Sequence, residues 1–163
     1  MHLILTILLL ATLLLPNSAN AATLIGVVVG VSDGDTIKVV DASNTQHKIR
    51  LLGIDAPESK QAFGQRSKQS LSDIVYGRKV QIEYDKQDRY GRTLGKVLVE
   101  GEDVNLLQVK RGMAWWYRAY KRDQNPDDQK IYEAAENAAK ASKMGLWADM
   151  NSMPPWVFRK KRN

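Results

Sequence analysis

The sequence contains no cysteine, and its only histidines are His2 and His47. Without cysteine the chain has no disulfide framework, no thiol nucleophile and no Cys-ligated zinc site, so it must fold on packing alone. Two histidines also argue against a catalytic triad and against a histidine-rich metal centre. These absences exclude small disulfide-rich domains and several common classes of enzyme.

Charge is missing from residues 1–21, which contain no Lys, Arg, Asp or Glu. The apolar run over residues 3–15 is shorter than the roughly 20 residues that span a bilayer. Ala19-Asn20-Ala21 supplies the small-x-small pattern that a signal peptidase accepts. We therefore predict a signal peptide over residues 1–21, cleavage before Ala22 and export to the periplasm or the medium. An uncleaved membrane anchor is the alternative.

All of the charge lies in residues 22–163, with 24 basic and 18 acidic side chains and a net charge of +6. This segment is long enough for one domain with a real core and too short for two ordinary ones. The positive balance favours an anionic partner, and nucleic acid, anionic lipid and heparin-like chains fit it equally well. We expect a monomer with no stable protein partner and no transmembrane segment in the mature chain.

Five short β-strands are predicted from alternating or β-branched apolar runs that are separated by turns. Residues 32–35 form a tight hairpin turn, residues 41–45 a polar loop, and residues 88–91 a further turn. The predicted strands cover residues 24–31, 36–40, 46–52, 80–84 and 93–99.

Three helices are predicted between and after these strands. The first follows Pro57 and stops at Gly77, the second covers residues 104–111 with Asp103 as its N-cap, and the third covers residues 126–142. The apolar side of the third is assigned to Ile131, Ala134, Ala135, Ala138 and Ala139. The pattern predicts a small β-barrel with packed helices over residues 22–150, followed by an irregular, mobile basic tail over residues 151–163.

Polar residues cluster at the predicted strand ends, where catalytic groups are often found. Composition alone does not require them there. Taken singly, each has a structural explanation, such as a turn, a helix dipole or a solvated strand position. The clusters are Asp33 with Asp35, Arg50, Asp55 with Glu58, and the turn from Arg89 to Arg92.

The combination of these groups points to chemistry on a phosphodiester. Asp35 and Asp55 follow different strands and could converge on one hard cation, as calcium requires. Arg50 and Arg92 carry guanidinium forks that suit phosphate oxygens, and Glu58 could accept a proton from an attacking water. A cation and two arginines would stabilise the charge that develops during hydrolysis.

At this point the sequence resembles the staphylococcal nuclease-like (thermonuclease) family, over nearly the whole mature chain. Several ordered motifs at compatible spacing carry the resemblance, which makes it specific. They are residues 31–36, 50–58 and 88–92, Val104-Asn105 with Arg111-Gly112, and Gly145-Leu146-Trp147.

The resemblance implies a five-stranded OB-fold barrel and calcium-dependent cleavage of DNA and RNA that leaves 3′-phosphate ends. Asp35 and Asp55 would be the side-chain Ca²⁺ ligands, with the main-chain carbonyl of Ala56 as a third. Arg50 and Arg92 would hold the phosphate, and Glu58 would act as the base or orient the water. The nucleotide would contact Arg89, Tyr90 and an aromatic residue after the second helix, with Tyr120 the best match and Tyr117 nearby.

Three features remain open at the level of sequence. Ala56 replaces a threonine of the best-known family member, which spares the carbonyl ligand. Trp115 and Trp116 replace smaller residues. The prediction gives base stacking and core packing equal weight for this pair. The basic run over residues 159–162 is interpreted as a solvated charge run that could add salt-sensitive affinity for nucleic acid.

Two other functions compete with the nuclease. A non-catalytic OB-fold module would bind nucleic acid through a basic groove and aromatic residues, and it would gain nothing from carboxylates beside phosphate. A cationic envelope-binding protein would use its tail and would leave the carboxylates and arginines unexplained. The fold alone does not separate these functions.

Overall fold

A computed structural model describes residues 22–162, and the predicted signal peptide lies outside the described residues. Five long strands form the core sheet, and each covers one of the five predicted strands. They are β1 (Ala22–Asp33), β2 (Thr36–Asp41), β3 (Gln46–Leu51), β5 (Lys79–Gln87) and β6 (Thr93–Val99). Three two-residue strands complete the set, namely β4 (Ile54–Asp55), β7 (Glu102–Asp103) and β8 (Trp115–Trp116).

The sheet closes into a barrel. Antiparallel pairs join β3 to β2, β2 to β1, β1 to β5 and β5 to β6, and a parallel pairing of β3 with β6 closes the circle. Register shifts within β1 mark bulges that bend this strand around the barrel. The barrel confirms the predicted five-stranded OB-type architecture with packed helices. Its interior is filled by buried aliphatic side chains, among them Val28, Ile37, Val39, Ile49, Leu51, Ile82 and Val97.

Four α-helices accompany the barrel: α1 (Gly64–Val75), α2 (Val104–Lys110), α3 (Pro126–Ala141) and α4 (Pro155–Arg162). Helix α1 buries Ser67, Leu71, Ile74 and Val75 on the side that faces the core. Two short 3₁₀ helices, Arg118–Asp123 and Gly145–Ala148, flank α3. None of the helices in the described part of the chain has the length and apolar character needed to cross a membrane.

Side-chain caps explain where α2 and α3 begin: the predicted cap Asp103 and an additional cap, Asn125. The Asp103 carboxylate accepts a hydrogen bond from the Leu106 amide at 3.0 Å, and the Asn125 side chain accepts from the amides of Asp127 and Asp128 at 2.9 Å. These bonds satisfy amides that have no partner inside the helix. Pro126 occupies the first turn of α3, where its missing N–H costs nothing.

The inward face of α3 differs from the alanine stripe that the sequence predicts. Its buried residues are Tyr132, Ala135, Glu136 and Ala139, whereas Ile131, Ala134 and Ala138 are exposed. Glu136 is buried because it has three partners: it accepts from the Trp116 amide, Arg118 and Lys140 at 3.0, 2.7 and 2.8 Å. A polar junction at Glu136 therefore rotates the helix away from the predicted orientation.

The C-terminal segment is also different from its prediction. Residues 155–162 form α4, so the expectation of an irregular tail is wrong. The first four residues of the helix are apolar, and the basic run follows at its end. It is tied to the loop before α1 by a hydrogen bond that the Gln61 side chain donates to the Met153 carbonyl.

Candidate active site

The turn between β1 and β2 positions the first carboxylate of the site. Asp33 pairs with Thr36 across the turn, and the Asp33 side chain accepts a hydrogen bond from the Asp35 amide at 3.1 Å. Asp35 points inward and is 5% exposed. Its carboxylate accepts from the Ala56 amide at 2.7 Å and from the Thr36 hydroxyl at 3.0 Å.

The second carboxylate, Asp55, lies in β4, which pairs with β8 and is held against the barrel by it. Arg50 joins the two carboxylates, with N···O distances of 3.2 Å to Asp35 and 3.1 Å to Asp55. The same guanidinium donates to the carbonyls of Leu51 and Ile54 at 3.0 and 2.9 Å. Arg50 is therefore fixed in one orientation between the two carboxylates that the sequence places at different strand ends.

The electrostatics of this pair favour a cation. Burial raises the pKa of Asp35 to about 7, and the negative charges of Asp33 and Asp55 add to the rise, while Arg50 and the Ala56 amide oppose it. The two acidic groups thus hold more negative charge than Arg50 compensates. A hard divalent ion with oxygen ligands would relieve this repulsion, so the donor set fits calcium.

The carboxylates alone do not complete such a site. No group of three His, Cys, Asp or Glu side chains in residues 22–162 is arranged to hold a metal ion. Calcium would therefore need main-chain carbonyl and water ligands beside Asp35 and Asp55. The carbonyl of Ala56, which follows Asp55 directly, stays a predicted ligand.

Glu58 lies in the loop that leads from the site into α1. Its main-chain amide donates to the Gln61 side-chain oxygen at 3.1 Å, and its carbonyl accepts from the Gln61 amide at 2.8 Å. Its side chain is 36% exposed, so solvent reaches the carboxylate. Gly64 is required beneath this loop, because a Cβ at that position would collide with the Glu58 carbonyl oxygen.

Arg92 directly precedes β6, whose first residue Thr93 pairs with Ile49, the neighbour of Arg50. Asp88 holds Arg92 by accepting from its Nε at 2.7 Å and from its amide at 3.0 Å. Within the described residues, no hydrogen bond or ion pair joins Arg92 to Asp35, Asp55 or Glu58. The topology therefore places Arg92 beside the strand that carries Arg50, with its side chain in the β5–β6 turn.

The same turn presents an aromatic surface. Tyr90 is 67% exposed. The guanidinium carbon of Arg89 lies 4.8 Å from the Tyr90 ring centroid, and that of Arg92 lies 5.5 Å from it. This cation–aromatic cluster is available to a ligand from solvent, as the predicted substrate-contact role requires.

Tyr117 and Tyr120 lie together on another side of the site, with ring centroids 5.0 Å apart. The Tyr117 amide donates to the Gly53 carbonyl at 2.8 Å, which connects this segment to the loop carrying Asp55. Burial raises the pKa of the Tyr117 hydroxyl, and the negative charge of Asp55 adds to the rise. Tyr120 is 56% exposed, so of the two it is the more accessible.

Trp115 and Trp116 are both buried, at 5% and 4% exposure, so neither is free to stack on a base. The Trp116 indole donates to the Gln124 side chain at 2.8 Å, and Trp115 packs edge-on against Trp147 at 5.2 Å between centroids. The prediction that one of the pair stacks on bases is therefore not supported, and both belong to the packing beneath β4.

Helix α4 brings two residues into the site that the sequence does not predict. Arg159 donates to both Asp55 oxygens, at 3.2 and 2.8 Å, and to Glu58 at 2.8 Å. The Trp156 ring stacks on Tyr117 with 5.3 Å between centroids and 19° between planes. Trp156 and Arg159 are three residues apart, so they lie on the same side of a helix, and this spacing is the signal that the sequence holds for them. Only the folded structure shows that this side faces the carboxylates.

The structure thus brings Asp35, Arg50, Asp55, Ala56 and Glu58 together at one end of the barrel. Tyr117 borders this group, and Arg89, Tyr90 and Arg92 form a separate cluster in the neighbouring turn. The fold and the site define an OB-type barrel that presents buried carboxylates bridged by arginine.

Comparison with known proteins agrees with this class. Residues 48–149 match the family described as staphylococcal nuclease homologue. An uncharacterized endonuclease of Haemophilus influenzae is 45% identical over 134 residues, covering 82% of this chain and 72% of its own length. A micrococcal nuclease of Shigella flexneri is 42% identical over 144 residues, covering 83% of this chain and 80% of its own length. The chain belongs to the staphylococcal nuclease homologue family.

Proposed function

We propose that this protein is a calcium-dependent nuclease that hydrolyses phosphodiester bonds in DNA and RNA with little sequence specificity and leaves 3′-phosphate ends. The observation that supports it most is the pair of buried carboxylates, Asp35 and Asp55, bridged by Arg50 in a chain of this family. A module that only binds nucleic acid has no use for negative charge beside the phosphate.

In this proposal the residues divide the work by position. Asp35, Asp55 and the Ala56 carbonyl hold Ca²⁺, which when bound supplies Lewis-acid stabilisation of charge on the phosphate. Arg50, already fixed by two main-chain carbonyls, offers its guanidinium to the same phosphate without reorganising. Arg92 approaches from the neighbouring turn and shares the phosphate with Arg50.

Glu58 accepts a proton from the attacking water or orients that water. Its carboxylate is partly exposed and sits on the loop beyond Asp55, so water can reach it while the buried carboxylates stay committed to the cation. The attack forms a bond from water oxygen to phosphorus and breaks the bond from phosphorus to the 5′ oxygen. The 5′ oxygen leaves with one product, and the phosphate remains on the 3′ end of the other.

Substrate contacts beyond the phosphate come from the two aromatic clusters. Tyr90 with Arg89, and Tyr117 with Tyr120, lie on different loops around the carboxylates and can stack on bases of any identity. Stacking does not distinguish base sequence, which fits the proposed low specificity. We also propose that the protein is exported, on the basis of the predicted signal peptide.

The first test incubates the purified protein with single-stranded DNA, duplex DNA and RNA in calcium, magnesium or chelator, and analyses the product ends. We expect cleavage in calcium, none in chelator, and 3′-phosphate ends. Tight binding without cleavage in any metal would instead identify a binding module and make the carboxylates structural.

The second test replaces the proposed catalytic groups. Arg92→Ala should lower kcat by about 10² to 10³ and Glu58→Ala by about 10² to 10⁴. Lys130→Ala is the control for loss of a basic residue, since Lys130 is exposed on α3. Circular dichroism should show that every variant is folded. Retention of full activity by the Arg92→Ala, Glu58→Ala double variant would refute the assignment.

A further inference from the structure

Helix α4 covers the carboxylate end of the site through two independent contacts. Arg159 engages both oxygens of Asp55 and one oxygen of Glu58. Trp156 stacks on Tyr117 and also meets Trp115 edge-on at 6.5 Å between centroids. One turn of helix therefore occupies both the charged part of the site and one of its aromatic surfaces.

The Arg159 contact competes with a cation for the same atoms. Asp55 is 1% exposed, and its Oδ2 atom accepts the 2.8 Å hydrogen bond from Arg159. A divalent ion held by Asp35 and Asp55 would place further positive charge beside this guanidinium, and like charges repel. Arg159 thus compensates the negative charge that calcium would otherwise neutralise.

The Trp156 contact competes with a base in the same way. Its ring lies almost parallel to Tyr117, at 19°, which is the arrangement that a stacked nucleotide base would take. While Trp156 stays there, this face of Tyr117 is covered. Tyr120 and Tyr90 remain exposed, so the helix covers part of the proposed substrate surface.

The length and exposure of α4 are those of a segment that can open locally. The helix has eight residues, and no helix or strand joins it to the 3₁₀ helix that ends at Ala148. The Arg159 side chain is 43% exposed, so water competes for its ion pairs and weakens them. Short helices held by few side chains belong to the least stable parts of a fold.

We propose that α4 is an intramolecular inhibitor, in which Arg159 holds the calcium carboxylates and Trp156 covers the Tyr117 stacking face until calcium and nucleic acid displace them. The proposal rests on the proposed function, because it needs calcium to bind at Asp35 and Asp55. The apparent calcium affinity is then the intrinsic affinity multiplied by the fraction of molecules in which the helix is open.

The test measures calcium binding rather than cleavage. Isothermal titration calorimetry with calcium chloride compares the wild-type protein with Arg159→Ala, Trp156→Ala and Lys161→Ala. Arg159→Ala and Trp156→Ala should each tighten calcium binding by about 5-fold or more, within the usual range of coupling between linked sites. Lys161→Ala removes an equal charge from an exposed position of α4 and should change the affinity by less than about 2-fold.

Trp156→Ala is the decisive variant. Removing Arg159 takes a positive charge from beside the carboxylates and would favour calcium even if α4 never moved. Trp156 carries no charge, so tighter binding in that variant requires that undocking of α4 frees the site. An unchanged affinity for Trp156→Ala would overturn the proposal.

Hydrogen–deuterium exchange gives a second readout on the same proteins. Amides of residues 156–162 should exchange slowly in the metal-free wild-type protein and faster after calcium is added, and they should exchange fast in both variants without calcium. Equal protection of α4 with and without calcium would overturn the proposal while leaving the nuclease function intact. Absence of calcium binding in the wild-type protein and in every variant would instead remove the proposed function, and the inhibitor with it.

Discussion

At the scale of single residues, Arg50 decides the geometry of the site. Its side chain is 12% exposed and has four oxygen partners, which are two carbonyls of its own loop and one carboxylate from each side. A lysine could not satisfy these partners, because it lacks the planar fork of the guanidinium. Arg50 therefore sets the separation of Asp35 and Asp55 before any ligand arrives.

The raised pKa of Asp35 predicts how stability depends on pH in the metal-free protein. Burial raises the pKa from 3.8 to about 7, so the native state favours the protonated form. The stabilisation that protonated Asp35 gives the native state is fully present below pH 3.8 and is lost as the pH rises through about 7. Asp35→Asn keeps the shape but removes the ionisation, so its free energy of unfolding should not show this decrease.

Urea unfolding of both proteins between pH 4 and pH 8, without metal, measures the difference. The free energy of unfolding of the variant should increase relative to that of the wild-type protein as the pH rises. Calcium should stabilise only the wild-type protein. A constant difference over this range would contradict the assignment of the buried charge to Asp35.

At the scale of elements, Asp103 couples α2 to α3. Its carboxylate caps α2 through the Leu106 amide at 3.0 Å and accepts from the Tyr132 hydroxyl of α3 at 2.8 and 3.0 Å. Tyr132 is 1% exposed, and burial together with Asp103 raises the pKa of its hydroxyl. One carboxylate thus ends a strand, begins a helix and fixes a second helix.

Asp103→Ala should lower the free energy of unfolding by about 2 to 4 kcal/mol, because it removes a cap and leaves a buried hydroxyl without its acceptor. Tyr132→Phe should lower the free energy of unfolding by about 1 kcal/mol, since it removes the hydroxyl donor while the Asp103 carboxylate keeps its hydrogen bond from the Leu106 amide. Chemical denaturation of both single variants and the double variant would show a coupling energy. Strict additivity would mean that the two side chains act independently.

At the scale of the whole molecule, the net charge of +6 predicts salt-sensitive binding of nucleic acid. Lys160 and Lys161 are exposed at the end of α4, so we expect them to contact backbone phosphates. In chelator, replacing both with alanine should reduce the slope of log K against log salt for single-stranded DNA by about 1 to 2. An unchanged slope would show that these lysines do not meet the phosphates.

The sequence by itself determined the barrel and most of the site. Strand alternation, the Asp-Gly turn and the Asp103 cap are local features, and local features are readable because their partners lie within a few residues. The predicted strand over residues 93–99 coincides with β6, and the helix predicted over residues 104–111 differs from α2 by one residue. The convergence of Asp35 and Asp55 followed from their positions after two strands.

Only the tertiary structure decided what depends on contacts between distant segments. The burial of Glu136 rotated α3 so that Ala135 and Ala139 of the predicted face are buried while Ile131 is exposed. The sequence does not reveal this because the partners of Glu136, Trp116 and Arg118, belong to another segment. The placement of Arg159 depends on a contact with Asp55 across 104 positions of the chain. Periodicity in a basic tail cannot report such a contact, since the same pattern suits a solvated helix. In the folded molecule Arg159 compensates the negative charges of Asp55 and Glu58, and this favours the arrangement in which α4 is docked.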